Sequence, residues 1–256
     1  MPTDAIVVFS GGPDSTAAAL WAVDNGFDVE LMTFQFWNQR QYGEIRASFE
    51  VAQLLHHKHT LFDFKSPMQF FDGVSPLMHA GTSTGSPEAS SRLLTFGAGM
   101  VLSAAIAYAV HQKKYVVVWG ATKDDTFGGK FDYTQEFCDA FGVLVTKSIG
   151  RDFKIFAPLS SQHKNEIFSA FFQKKADLFA RTWSCKMEVA TQCGECHACM
   201  ARRVAARLSK ITDASRYQKN DIKWPLTDKQ FEDLTLISED VLMGILNTPK
   251  TIEFER

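Results

Sequence analysis

The stretch Phe9-Ser10-Gly11-Gly12-Pro13-Asp14-Ser15-Thr16 joins two segments of opposite character. Ahead of it, Ala5-Ile6-Val7-Val8-Phe9 is an apolar, largely β-branched run with the length of a fully buried strand. Behind it, Ala17-Ala18-Ala19-Leu20-Trp21-Ala22-Val23 reads as a strong helix former. A strand, a glycine-rich turn and a helix start bring backbone N–H groups and the positive end of a helix dipole to one point, which suits a phosphate. Gly11 and Gly12 let the backbone approach an oxyanion, while Ser10, Ser15 and Thr16 add hydroxyl donors. Asp14 repels phosphate unless a cation lies between them, and magnesium is the natural candidate. For a lone Ser-Gly-Gly, an ordinary strand-to-helix turn with a Ser/Asp cap is an equal alternative. The full S-G-G-x-D-S-T behind a hydrophobic strand is far more specific.

Strand and helix alternate outward from this stretch. Residues 29–34 read as a second strand, 43–55 as helix-compatible and 60–64 as a third strand. Residues 72–91, rich in Gly, Ser, Thr and Pro, read as a long loop, with a substrate lid and a tolerated insertion both open. Residues 93–110 have the small-residue content of a buried helix, and 115–120 form the clearest buried strand. A short strand over 153–159 and helical pattern over 164–179 follow. The expected fold class is α/β, a doubly wound parallel sheet, with ligands beyond the carboxyl ends of the strands.

A chain of 256 residues suits one sizeable domain with a small appendage. A net charge of −2 provides no electrostatic footprint for nucleic acid or an anionic membrane. No signal-peptide pattern opens the chain, and no apolar stretch reaches spanning length. Four of five cysteines crowd into Cys185-x7-Cys193-x2-Cys196-x2-Cys199, which argues for metal rather than disulfides and for a cytoplasmic protein. Four thiolates suit tetrahedral, structural zinc; an iron–sulfur cluster and scattered core cysteines are the alternatives. Gly194 helps the turn form, Arg202, Arg203 and Arg207 can offset the thiolate charge, and His197 is expected to be a spectator. Cys138 stands apart as a buried, inert thiol.

The S-G-G-x-D-S-T signature resembles that of the PP-loop ATP pyrophosphatases, which split ATP into AMP and pyrophosphate. Together with the four cysteines, the chain resembles the 7-cyano-7-deazaguanine (preQ0) synthase family from about Ala5 to Arg207. The likeness also rests on Asn38-Gln39-Arg40, Ala107-Tyr108, Pro158-Leu159, Lys164-Asn165-Glu166 and Thr182-Trp183-Ser184-Cys185. It implies that a carboxylate, 7-carboxy-7-deazaguanine, is activated with ATP and converted by ammonia through the amide to the nitrile. On that resemblance Asp14, Lys164 and Arg40 are the catalytic candidates, with Lys164 a cation on the phosphates and Arg40 at a phosphate or the substrate carboxylate. Phe9, Ser10, Gly11, Gly12, Asp14, Ser15, Thr16 and Thr33 form the nucleotide-binding set, and Glu166 either orients Lys164 or is solvated. The expected cofactors are structural Zn²⁺, ATP and Mg²⁺. The expected division is a PP-loop domain over 1–180 and a zinc-binding loop with a helical extension over 181–256.

The sequence departs from the family in the substrate loops. A Pro-Gly-Arg-Asn loop is replaced around Ser90-Ser91-Arg92-Leu93, and a Gly-Val-x-Glu-Thr-Asp segment by Gly120-Ala121-Thr122-Lys123-Asp124-Asp125. Phe127-Gly128-Gly129-Lys130-Phe131-Asp132 stands where the family has Ser-Gly-Tyr-Pro-Asp-Cys. Asp124, Asp125 and Arg92 are the substrate candidates, with Asp132 a further acceptor. The tail carries a capping-box pattern at Thr227 and Gln230 and fits a packed helical pair, or a contact with a second copy or a protein partner. The rival readings are an adenylating relative that passes its acid to another amine, including a protein amine, and a non-catalytic zinc module that docks RNA or a partner.

Overall fold

The computed structural model describes residues 3–35, 42–64, 96–125, 131–187 and 189–220. The loop at 72–91, Arg40, Arg92, the 127–130 run and the tail from 221 onward lie outside the described residues. Five strands, β1 (Thr3–Val8), β2 (Phe27–Gln35), β3 (Lys58–Asp63), β4 (Val116–Trp119) and β5 (Lys154–Phe156), form a sheet in the order β3-β2-β1-β4-β5. Every neighbouring pair is parallel. The chain therefore steps outward from β1 to β3, then returns to the other side of β1. The reversal between β1 and β4 is the switch point at which open α/β sheets bind ligands.

Helices α1 (Pro13–Asp24), α2 (Tyr42–Leu55), α3 (Gly97–His111), α4 (Gln135–Ile149), α5 (Lys164–Phe172), α6 (Ala176–Arg181) and α7 (His197–Leu208) cover the sheet. Alternation along the strands divides the core in two. Val7, Leu31 and Val118 pack with Ala18 of α1, Phe168 and Phe172 of α5 and Ala205 of α7. Ile6, Met32 and Val117 pack on the opposite side with Leu102 of α3 and Val145 of α4. The doubly wound α/β sheet is thus the observed architecture.

Two elements differ from expectation. Helix α4 is not anticipated above, although Thr134 caps it by accepting the Phe137 N–H at 3.1 Å and Gly150 ends it at φ +68. The helical pattern over 164–179 breaks into α5 and α6. Phe179 stacks on Phe168 and Phe172 with ring centroids 4.9 and 5.2 Å away. A continuous helix would carry Phe179 about 16 Å along the axis from Phe168, so the break is what lets these rings meet.

Glu30 of β2 is a buried acid with four donors. Its Oε1 accepts from Thr60 Oγ1 and Tyr108 OH, each at 2.8 Å, and from Lys58 Nζ at 3.0 Å; Oε2 accepts from Lys114 Nζ at 2.8 Å. Burial works against the carboxylate, but these donors outweigh it and lower its pKa from 4.5 to about 2. Its stabilising contribution is therefore complete above pH 4.5 and lost as pH falls through about 2. Glu30→Gln is expected to cost about 3 kcal/mol in denaturant unfolding at pH 7. The difference from the native chain should shrink below pH 4.5; a difference independent of pH would contradict this account.

Candidate active site

Residues 9–12 form the turn between β1 and α1 at the carboxyl edge of the sheet. Gly11 sits at φ +76, and a Cβ there would lie 2.4 Å from the Ser48 nitrogen of α2. Only glycine meets both demands. Gly120, after β4, approaches just as closely: a Cβ would lie 2.8 Å from Ser15 Cα. The two strand ends at the switch point thus close directly on the start of α1.

The turn is braced by its own hydroxyls. Ser10 Oγ accepts the Gly12 N–H at 3.2 Å, and the Ser10 N–H reaches Ser15 Oγ at 3.1 Å. Thr16 is fully buried and donates to the Gly12 carbonyl at 2.8 Å. Thr33 Oγ1 donates to the Phe9 carbonyl at 2.6 Å and lies 2.8 Å from His59 Nε2. A carbonyl only accepts, so the Thr33 proton is committed and His59 Nε2 must be the donor to Thr33. That leaves His59 Nδ1 bare, and it is buried without a partner. Burial lowers the pKa of His59, consistent with a neutral ring between the edges of Phe9 and Phe49. Sequence reasoning missed His59, because a histidine on a half-buried strand carries no pattern that distinguishes it.

Asp14 and Lys164, 150 residues apart in the chain, meet here with Lys164 Nζ donating to Asp14 Oδ2 at 2.6 Å. Nζ also lies 3.4 Å from Thr122 Oγ1. Asp125 Oδ2 accepts from the Thr122 N–H and Oγ1 at 2.9 and 2.8 Å. Asp124 has both oxygens engaged, Oδ1 with His163 Nδ1 at 2.7 Å and Oδ2 with the Lys164 N–H at 2.8 Å. Glu166 accepts the His163 N–H at 2.8 Å, so it caps α5. Asp132 similarly accepts the Ala98 N–H at 3.0 Å at the start of α3.

Burial pushes the Asp14 carboxyl up; Lys164 opposes this, while Asp125 and Asp124 add to it. Burial also disfavours the Lys164 ammonium, but Asp14, Asp125 and Asp124 outweigh it and raise its pKa. Three carboxylates surround one ammonium. Asp14 Oδ1 is buried and has no hydrogen-bond partner, as expected of an oxygen that faces a cation.

Beside the turn, the sulfurs of Cys185, Cys193, Cys196 and Cys199 all lie within 4.8 Å of one another. Cys193 and Cys199 are 3.8 Å apart, and Cys185 and Cys196 3.9 Å. A tetrahedron of thiolates at about 2.3 Å from zinc has edges of about 3.8 Å, so the donor set fits. Backbone N–H groups of Cys196, Cys193 and Met187 point at these sulfurs from 3.2 to 3.4 Å. Its bond to Cys196 leads in pushing the Cys185 thiol up to about 12, whereas bonds from Cys185 and Cys199 hold Cys196 far down. Gly194 at φ +87 makes the turn between ligands, and a Cβ there would lie 2.3 Å from the Lys219 carbonyl.

The family model described as "Queuosine biosynthesis protein QueC" matches residues 4–210. The chain belongs to the QueC family. It is 26% identical over 224 residues to the 7-cyano-7-deazaguanine synthase of Pseudoalteromonas translucida (strain TAC 125), across 85% of this chain and all of that one. With the 7-cyano-7-deazaguanine synthase of Marinomonas sp. (strain MWYL1) it shares 28% over 228 residues, again 85% of this chain and all of the relative. Among solved structures, the NMN synthetase of Francisella tularensis is similar over 98% of this chain and 90% of that one, at 14% identity and a TM-score of 0.49.

Several residues behind the QueC resemblance have structural places. Tyr108 donates to Glu30, Leu159 is fully buried ahead of α5, and Thr182 receives a guanidinium. That guanidinium belongs to Arg202. Arg202 is 1% exposed and reaches Thr182 Oγ1 at 2.7 Å, the Phe179 carbonyl at 2.6 Å and Asp213 Oδ2 at 3.1 Å. Arg203 holds the carbonyls of Gly194, Lys219 and Asn220. Both arginines tie chain segments around the cysteines, Arg203 through loop carbonyls and Arg202 through Thr182, Phe179, Asp213 and Ser215. The His197 side chain lies outside the described residues. No helix among the described residues is long and apolar enough to cross a membrane.

Proposed function

We propose that this QueC-family chain is an ATP-dependent, AMP-forming ligase that converts 7-carboxy-7-deazaguanine and ammonia to 7-cyano-7-deazaguanine through an acyl-adenylate. The observation that carries this reading is the Asp14–Lys164 pair at the mouth of the glycine turn, at the switch point of the sheet. The names of the curated relatives support the nitrile, 7-cyano-7-deazaguanine, as the product.

A carboxylate is a poor electrophile. In the proposed reaction its oxygen attacks the α-phosphorus of ATP and pyrophosphate departs, leaving an acyl-adenylate that ammonia opens to the amide and AMP. The amide becomes the nitrile by losing the elements of water, which a second activation of the same kind drives. The turn of Phe9 to Gly12 and the amino end of α1, with Ser10, Ser15 and Thr16, serve the phosphates. Lys164 neutralises charge growing on the leaving pyrophosphate. Asp14 would hold Mg²⁺ through Oδ1, and the ion when bound supplies further neutralisation of the phosphates. Thr33 steadies the Phe9 carbonyl. Arg40, Arg92 and Asp125 are assigned to phosphate and acid.

The cysteines are assigned to structural Zn²⁺, which keeps residues 189–220 folded beside the nucleotide-binding part. Four thiols kept for a metal suit a reducing cytoplasm. The test incubates the zinc-loaded protein with ATP, ammonium and 7-carboxy-7-deazaguanine. Nitrile by mass spectrometry, with AMP rather than ADP, is expected. An adenylate or amide that never becomes nitrile would replace this reading by transfer to a different amine.

A further inference from the structure

We propose that Trp183 couples the cysteine cluster to the phosphate loop, so that metal and ATP each strengthen the binding of the other. The inference rests on the ATP reading above and extends it to a positioning residue. Trp183 is 7% exposed and lies two residues before Cys185. Its N–H donates to the Gly11 carbonyl at 3.0 Å, and its own carbonyl lies 3.3 Å from where a Cβ on Gly12 would stand. Its indole Nε1 donates to the Cys185 carbonyl at 2.8 Å. The ring fills the place of a side chain on Gly43, where a Cβ would come within 2.3 Å of it. It packs among Ala47, Cys185, Cys193, Cys199 and Tyr217, with the Arg46 guanidinium 5.4 Å from its centroid.

The flanking residues are equally fixed. Arg202 grips Thr182, and the Gln192 Oε1 accepts the Ser184 and Cys185 N–H groups at 2.9 and 3.3 Å. No slack remains between the first cysteine and the carbonyl of Gly11. A bound metal fixes Cys185, Cys185 fixes the indole, and the same residue's N–H fixes the peptide plane between Gly11 and Gly12. A phosphate that orders this turn holds Trp183 from the other side. Linkage makes the coupling reciprocal. A tryptophan that merely filled the core would affect stability and leave the two affinities independent.

The experiment uses the full chain loaded with zinc and measures zinc affinity by equilibrium competition with a chromophoric chelator, with and without magnesium-saturated ATP. Binding of ATP is measured separately by equilibrium dialysis. ATP is expected to raise zinc affinity at least about fivefold, and stripping zinc to weaken ATP binding by a comparable factor. Trp183→Phe, which keeps a ring over Gly43 but lacks the indole donor, should retain zinc and reduce both factors towards one. ATP binding with unchanged zinc affinity overturns the coupling and leaves the ATP reading intact. Absence of ATP binding overturns that reading and the coupling with it. Native coupling in Trp183→Phe removes the role assigned to the indole. Should that variant fail to fold, the native comparison still decides whether the two sites are linked.

Discussion

Lys164→Met is expected to lower ATP-dependent product formation by about a thousandfold, with little change in the KM of the acid substrate. Methionine reproduces the lysine stem as far as the ε carbon, so what is lost is the ammonium 2.6 Å from Asp14. The whole effect should fall on the rate of pyrophosphate release in a single turnover. The variant also tests the charge balance of the cluster. Burial already pushes the Asp14 carboxyl up, and Lys164 is the cation that opposes it. Without that cation the Asp14 pKa rises further, and the acid limb of the pH–rate profile moves to higher pH. An unchanged single-turnover rate would rule out Lys164 as the phosphate cation. A lost rate with an unmoved acid limb would separate Lys164 from Asp14.

Cys199→Ser is expected to be the most destabilising single substitution in the 181–220 region. Cys199 is fully buried, and its sulfur is one of the mutually close four. Metal binding to such a set is folding free energy, because no preformed site exists in the unfolded chain. Loss of one thiolate should lower the bound metal below one per chain. A loss of about 4 kcal/mol corresponds to a fall in Tm of roughly 8–16 °C for a chain of this size. Metal analysis with thermal unfolding checks both. A visible absorption band with bound iron would replace zinc by an iron–sulfur cluster, and unchanged metal content and Tm would remove the site altogether.

Much of this was legible from local pattern. The apolar run into Ser10-Gly11-Gly12 and the alanines behind it predict β1, the turn and α1, because strand, turn and helix each follow from short-range sequence there. The cysteine spacing likewise predicts a cluster, since Cys193, Cys196 and Cys199, with only two residues between successive ligands, can scarcely avoid one another. What escaped was long-range. Helix α4 carries Phe137, Phe141 and Val145 at helical spacing, but the polar surroundings of Thr134 masked its start. The break before α6 follows from three phenylalanine rings that meet only in the folded chain. Asp124 was assigned to substrate on its place in the chain, and its engagement by His163 and the Lys164 N–H depends on α5 arriving from 40 residues away. The inward turn of Arg202 was equally invisible, since its partners Thr182, Phe179 and Asp213 meet it only in the folded chain.

The sheet order has a consequence for how the protein is made. β1 is central, yet one of its two neighbours is β4, and Val7 must wait for Val118 to close that side. Asp14 waits longer still, since its ammonium partner lies 150 residues downstream. At about 5–20 residues per second of translation, the phosphate turn is synthesised roughly 8–30 seconds before the lysine that balances it. Until β4 emerges, the apolar edge of β1 from Ile6 to Val8 has no partner on that side. Slow elongation between β3 and β4 therefore lengthens the period in which that edge stays unpaired, and the Asp14 pair can close only once α5 has been made.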